Sequence, residues 1–157
     1  MVEKNPDLQN PLALEHQVCF SLAVASRTVI ALYRPVLAPL GLTHPQYLVM
    51  LALWQFAPLS VRELAELLEL DSATLSPLLK RLEAAGLILR ERLPEDERRL
   101  TVGLTRAGRD LRARAEAIPM HMMEKLGLSL EELQELNATL GRVTSKATLA
   151  LAQEERT

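Results

Sequence analysis

Between residues 12 and 38 apolar side chains recur at steps of three or four, at Leu14, Val18, Leu22, Ala25, Val29, Leu32 and Val36. That step keeps them on one helical face and predicts a helix that Pro35 kinks or ends and Pro39-Leu40-Gly41 closes. At Thr43-His44-Pro45-Gln46 a capping hydroxyl, an early proline and a Gln at the third position precede an apolar run to about Phe56. Ser60-Val61-Arg62-Glu63 is a second capping box and opens a short helix through Leu68. Asp71 or Ser72 caps a helix that Gly86 terminates. A helix bent at Pro119 is predicted over residues 107–126, and Ser129-Leu130-Glu131-Glu132 starts a last one reaching about Ala152.

Two stretches alternate instead. Residues 87–93 and 99–104 alternate apolar with polar residues, and the charged Pro94-to-Arg98 segment between them suits a hairpin tip. The predicted order is helix, helix, short helix, helix, hairpin, helix, helix. This is a mainly α chain with a small β-hairpin wing, the winged helix-turn-helix arrangement. In that arrangement the second helix of the pair enters a major groove of DNA and the hairpin reaches the flanking backbone or minor groove.

Composition sharpens the picture in three places. Aromatic residues are only 3% of the 157-residue chain, so the core rests on Leu, Val, Ile and Ala, which suits helices. One cysteine excludes an intrachain disulfide, the first ten residues lack an apolar signal core, and uninterrupted apolar runs such as residues 47–54 are far shorter than the ~20 residues of a membrane span. A soluble, cytoplasmic protein without a membrane partner is expected. The net charge of −2 argues against a generally basic coat. Residues 71–109 nevertheless carry eight Lys/Arg against six Asp/Glu, a local surplus in a chain that is acidic elsewhere.

Candidate chemistry concentrates there. Ser72, Thr74 and Ser76 crowd the first turns of the candidate recognition helix, where short hydroxyl side chains reach phosphates and base edges, and Lys80 and Arg81 follow one turn later. A solvated, charged hairpin in an interaction module without DNA affinity has the same pattern. No metal centre or cofactor is expected: His16, His44 and His121 lack ligand spacing, and the chain has neither a phosphate-binding glycine loop nor a nucleophile elbow. Met120, Met122 and Met123 read as flexible core.

The segment from Asp71 through Leu82-Glu83, then Gly86-Leu87-Ile88, Asp96-Glu97-Arg98 and Leu104-Thr105-Arg106-Ala107-Gly108, resembles the MarR family of winged-helix repressors. Leu14-to-Phe20, Tyr33-Arg34-Pro35 and Leu42-to-Leu48 are similar to the OhrR branch, the regulators that sense organic hydroperoxides. The resemblance runs from about Leu12 to Leu151 and implies a single-domain chain acting as a homodimer. Residues 12–42 and 107–152 would form a helical dimerisation region, and residues 43–106 the DNA-binding lobe. Two recognition helices would then read a palindromic operator in double-stranded DNA. It also implies that Arg98 enters the minor groove with Asp96 orienting its guanidinium, and that Arg99 adds a phosphate contact.

Taken alone, Cys19 among Val18, Phe20 and Leu22 reads as a small buried hydrophobe. The resemblance instead makes Cys19 the peroxide-reactive thiol, hydrogen-bonded by tyrosines of the partner subunit, with Tyr33 matching one of them. His44 and Ala23 stand where the branch carries other tyrosines. His44 is either a hydrogen-bond donor that favours the thiolate when protonated or a plain helix-start residue. No second cysteine lies in residues 119–125, where some relatives carry one. Cys19 sulfenic acid would therefore condense with a small thiol or over-oxidise, and either product would release the operator. The alternatives are a MarR-type regulator answering to a small apolar or phenolic ligand, and a Cys-dependent thiol peroxidase.

Overall fold

The computed structural model describes residues 10–93 and 96–155, with only the backbone described for residues 93 and 96–99. Among the described residues, seven α-helices and a three-stranded sheet follow in order: α1 (Val18–Leu37), α2 (His44–Phe56), β1 (Leu59–Ser60), α3 (Val61–Leu68), α4 (Ser72–Ala84), β2 (Ile88–Leu93), β3 (Asp96–Leu104), α5 (Arg106–Ala115), α6 (Ile118–Leu126) and α7 (Leu130–Glu154). The chain divides into two compact units, Met1–Glu116 and Ala117–Thr157. The division falls inside the 107–152 segment expected to act as one region.

The capping signals translate directly into helix starts. Thr43, Ser60 and Ser129 each close a reciprocal box with Gln46, Glu63 and Glu132, and Asp71 accepts the Thr74 amide at 2.6 Å to begin α4. Each cap satisfies an amide that the first helical turn leaves without an intrahelical partner. Between α3 and α4 the chain turns through Glu69, a non-glycine residue in the left-handed region (φ 52°). Four leucines of α4, Leu75, Leu78, Leu79 and Leu82, are buried with Leu53 and Met50 of α2, Leu64 of α3, and Ile88 and Val102 of the sheet. This aliphatic cluster is the core of the first unit.

The sheet order is β1-β3-β2, antiparallel throughout. Ile88 pairs with Leu104, Arg90 with Val102 and Arg92 with Leu100, after which the register shifts so that Leu93 faces Asp96. Val102 also faces Leu59, so β3 is held on both edges near its base. Strand β1 was not foreseen; two residues are too few to display a period of two. Strand β3 begins at Asp96, so the turn is shorter than the five-residue tip expected, and Pro94 and Glu95 lie outside the described residues.

Two helical boundaries also differ from expectation. The first helix begins at Val18 rather than Leu12, because a short 3₁₀ turn over Leu14–His16 and an extended Gln17 precede it. It carries Pro35 within its last turn and ends at Leu37, followed by a 3₁₀ turn and left-handed Gly41. The single helix expected over 107–126 is two, because Pro119 sits in the first turn of α6, where its fixed φ and missing N–H favour a start. Among the described residues, Val18–Leu40 is long and apolar enough by length and composition to cross a membrane. A search for unbroken apolar runs misses it, because Arg27 and Arg34 interrupt the stretch.

Helix α5 closes the first unit through an unusually near approach. Thr105 caps α5 by accepting the Gly108 amide at 3.0 Å, while its hydroxyl donates to the Gly86 carbonyl at 2.6 Å. A Cβ on Gly108 would lie 2.0 Å from the Leu87 carbonyl oxygen, and the Gly108 carbonyl accepts the Trp54 indole N–H at 2.8 Å. A methyl group there must push backbone aside rather than a flexible side chain. Gly108→Ala is therefore expected to lower stability by about 3 kcal/mol, read as a fall in the urea midpoint at unchanged slope; a midpoint within error of wild type would contradict the close packing.

Candidate nucleic-acid interface and cysteine site

On α4 the leucine face points inward and leaves the remaining positions to solvent. Ser72, Thr74, Ser76, Lys80 and Arg81 are all exposed. Helical periodicity sorts them: Ser76 and Glu83, seven residues apart, share one flank with Ser72, whereas Thr74 and Arg81, also seven apart, share the opposite flank. Lys80 lies near the outermost line of the helix, together with Ala73 and Pro77. The five predicted positions thus form one continuous outer surface on α4. Ser72 and Thr74 occupy its first turn, where free amides and the positive end of the helix dipole favour an anion.

The hairpin stands beside this surface. Glu83 of α4 accepts two hydrogen bonds from the Arg90 guanidinium of β2, at 3.1 Å from Nε and 2.5 Å from Nη2. Arg90 holds the Glu83 carboxyl below the ordinary carboxylate range, and Glu83 in turn raises Arg90. Sequence reasoning missed this pair, counting Arg90 only as one of the region's cations. The two residues lie in different elements on either side of Gly86, where helical spacing offers no guide. Six residues of β2 at about 3.3 Å each carry the hairpin roughly 20 Å beyond its base. Asp96, Arg98 and Arg99 occupy the first part of β3; their side chains lie outside the described residues.

The cysteine site divides in two. Cys19 is exposed in the second position of α1, beside Val18 (65% exposed), Phe20 (39%) and Leu22 (38%). Within this chain it is not the buried filler that its apolar neighbours suggest. Tyr33 lies fourteen residues further along the same helix, about 21 Å away at 1.5 Å per residue. The structure brings Tyr33 instead to His44, edge to face with ring centroids 5.1 Å apart, and to Tyr47 at 6.0 Å.

Tyr47 is buried and meets Trp54 edge-on at 6.4 Å. Burial raises Tyr33 and Tyr47 above the ordinary phenol value, with the neighbouring Tyr33 adding to the effect on Tyr47. Burial lowers His44 below the ordinary imidazole value, which disfavours the protonated form considered from the sequence. Among the described residues no group of His, Cys, Asp and Glu is placed to hold a metal ion. Of the methionines, Met122 is buried and Met120 is 60% exposed, so only part of that cluster is core.

Residues 42–100 match the model of the MarR family. The chain is 43% identical over 129 residues to the organic hydroperoxide resistance transcriptional regulator of Bacillus subtilis (strain 168), covering 82% of this chain and 88% of that protein. Among solved structures it is similar to AbfR of Staphylococcus epidermidis, with a TM-score of 0.71 and 34% identity over 87% of this chain and 94% of the other. AbfR in its reduced form bound to DNA matches at a TM-score of 0.69 and 32% identity (86% and 94% covered). Its overoxidised form bound to DNA matches at 0.65 and 37% (83% and 94% covered). A winged helix-turn-helix with these relatives is a transcriptional regulator rather than an enzyme. The chain belongs to the MarR family.

The Glu83–Arg90 pair has a consequence for pH dependence. A carboxyl whose folded pKa is depressed contributes stability above its unfolded value and loses it as pH falls through the folded one. Stability should therefore drop as the pH falls through and below the ordinary Glu range. Arg90→Met should make that acid limb shallower while the capping carboxylates Asp71 and Glu132, also depressed, still contribute theirs. Urea midpoints from pH 7 to 3 measure this; parallel acid limbs in both proteins would show that the pair does not set it.

Proposed function

We propose that the chain is a homodimeric, DNA-binding repressor that senses organic hydroperoxides through Cys19. The observation that carries the DNA-binding part is the outer surface of α4. Four buried leucines fix which way the helix faces, and every predicted contact residue on it is left exposed beside the hairpin. Ser72, Thr74, Ser76, Lys80 and Arg81 contact bases and phosphates of a palindromic operator. Arg98, oriented by Asp96, enters the minor groove, and Arg99 adds a phosphate contact. The DNA-bound structures of AbfR support this reading.

A second copy of the chain is part of the proposal because the sensing groups cannot meet inside one. Cys19 and Tyr33 stand at opposite ends of α1, so they come together only where two copies of α1 run antiparallel across a two-fold axis. The surfaces suit that pairing. Helix α1 exposes Val18, Phe20, Leu22 and Ile30. Helix α7, 25 residues long with no buried residue, exposes Leu136, Val143, Leu149 and Leu151. The apolar length of Val18–Leu40 then reflects a subunit-facing helix, and the protein is soluble and cytoplasmic.

Chemically, the Cys19 thiolate attacks the terminal oxygen of the hydroperoxide. The O–O bond breaks, the alcohol leaves with a proton, and the sulfur becomes a sulfenic acid. A small thiol then condenses with it, releasing water and leaving a mixed disulfide. The name of the Bacillus subtilis relative supports the oxidant class. Overoxidised AbfR is bound to DNA in its structure, which favours the mixed disulfide over the sulfinic acid as the form that releases the operator. The added bulk at the α1 interface separates the two DNA-binding lobes.

The decisive experiment is binding to duplex DNA from the protein's own promoter region, with and without an organic hydroperoxide plus a small thiol. Oxidant should abolish wild-type binding and leave Cys19→Ser bound; release of both proteins, or of neither, would remove Cys19 from the mechanism. Without oxidant, Arg98→Ala should weaken binding by about 1–3 kcal/mol and reduce the salt slope by roughly one. An unchanged slope would argue against a charged contact from Arg98.

A further inference from the structure

The base of the wing is tied down by backbone. Leu87 donates to the Leu82 carbonyl at 3.0 Å, the Thr105 hydroxyl to Gly86 at 2.6 Å, and Ile88 is buried. Further out the hairpin continues as a ribbon of paired β2 and β3. Arg90 lies two residues beyond Ile88, about 7 Å further along the strand. There its Nε and Nη2 each donate a hydrogen to the same oxygen of Glu83. Arg90 pairs with Val102, which β1 holds from the other side through Leu59, so its backbone belongs to the best-held part of the sheet. Glu83 occupies the same flank of α4 as Ser72 and Ser76. The pair therefore joins the contact-bearing flank of α4 to the lower part of the wing, just above its base, and it is only partly open to solvent, at 26% and 38% side-chain exposure.

We propose that Glu83 and Arg90 are positioning residues for DNA recognition: their ion pair is a strut that fixes the angle between the wing and α4, so that both elements reach the duplex in register. The proposal rests on the DNA-binding reading above and deepens it. The lever arm is what makes the strut matter. With a ribbon of roughly 20 Å, a ten-degree swing at the base moves the tip by about 3.5 Å, more than a hydrogen bond's length of about 2.9 Å. Glu83 also occupies the Arg90 guanidinium, which withdraws one cation from those that meet phosphate. A direct phosphate contact by Arg90 makes the opposite prediction for Glu83: removing the carboxylate would free the guanidinium and strengthen binding.

The test measures binding of full-length, reduced protein to its promoter duplex across a salt series. It compares wild type, Glu83→Gln, Arg90→Met and the charge-swapped pair Glu83→Arg/Arg90→Glu, with hydrogen exchange of the β2 and β3 amides in each free protein. Each single variant should lose affinity by roughly tenfold. Each should also show a shallower salt slope and faster exchange in the outer wing. The swapped pair should recover all three. A merely structural role would lower stability without touching the slope measured on the folded fraction, and that result would overturn the proposal. So would Glu83→Gln binding as tightly as wild type or tighter. Wild type that fails to bind duplex DNA would sink the DNA-binding reading instead, and the strut would then stand or fall on whether Glu83→Gln speeds exchange in the wing.

Discussion

At Gly108 the chain presses two backbone segments together so closely that the missing side chain is what permits the contact with the Leu87 carbonyl. Much of the first unit is arranged around this joint. Thr105 caps α5 and reaches back to Gly86 at the end of α4, and the Gly108 carbonyl takes the Trp54 indole from α2. Helices α2, α4 and α5 and the base of the hairpin thereby meet at one point. The aliphatic cluster supplies most of the stabilising free energy by removing leucine surface from water. Burial alone is non-directional and does not say how a hairpin stands against a helix. The hydrogen bonds at the joint, and the Glu83–Arg90 pair further out, supply that direction.

A second division runs through the molecule, between surfaces the chain covers by itself and surfaces it leaves uncovered. In α4 the two are cleanly separated, with leucines inside and hydroxyl and cationic groups outside. In α1 and α7 large apolar residues remain in contact with water, and the cysteine stands among them at one end of α1. An isolated soluble chain gains nothing by exposing that much hydrocarbon. A chain whose sensing chemistry is assembled from two copies needs such a face, and the incompleteness of the single chain is then a requirement of the proposed mechanism.

Helix order and the main starts were legible because capping boxes are local. Thr43 with Gln46, Ser60 with Glu63 and Ser129 with Glu132 each announce a first turn within four residues. The hairpin was legible from its alternation. What escaped was either too short to have a period, as with β1, or depended on partners distant in sequence. Gly108 reads as an ordinary helix-start glycine until Leu87 is placed against it, and Trp54 lies 54 residues from its acceptor. Pro119 was read as a bend because a proline inside an apolar pattern and one that begins a new helix look alike in one dimension. In the candidate site, the exposure of the α4 residues followed from helical spacing. Burial, which lowers the His44 pKa, did not, because it depends on packing from outside its own helix.

Trp54 is the sole tryptophan of the chain. Its indole lies edge-on to Tyr47 and is hydrogen-bonded into the first turn of α5. Tyr47 in turn neighbours Tyr33, whose ring meets His44. The single indole fluorophore of the chain therefore sits at the seam where α2 meets α5, one ring removed from Tyr33. Its emission reports solvent access and polarity at that seam without any label, and no other indole in the chain contributes background. The protein carries its own optical gauge of whether the joint that holds the winged lobe together is open or shut.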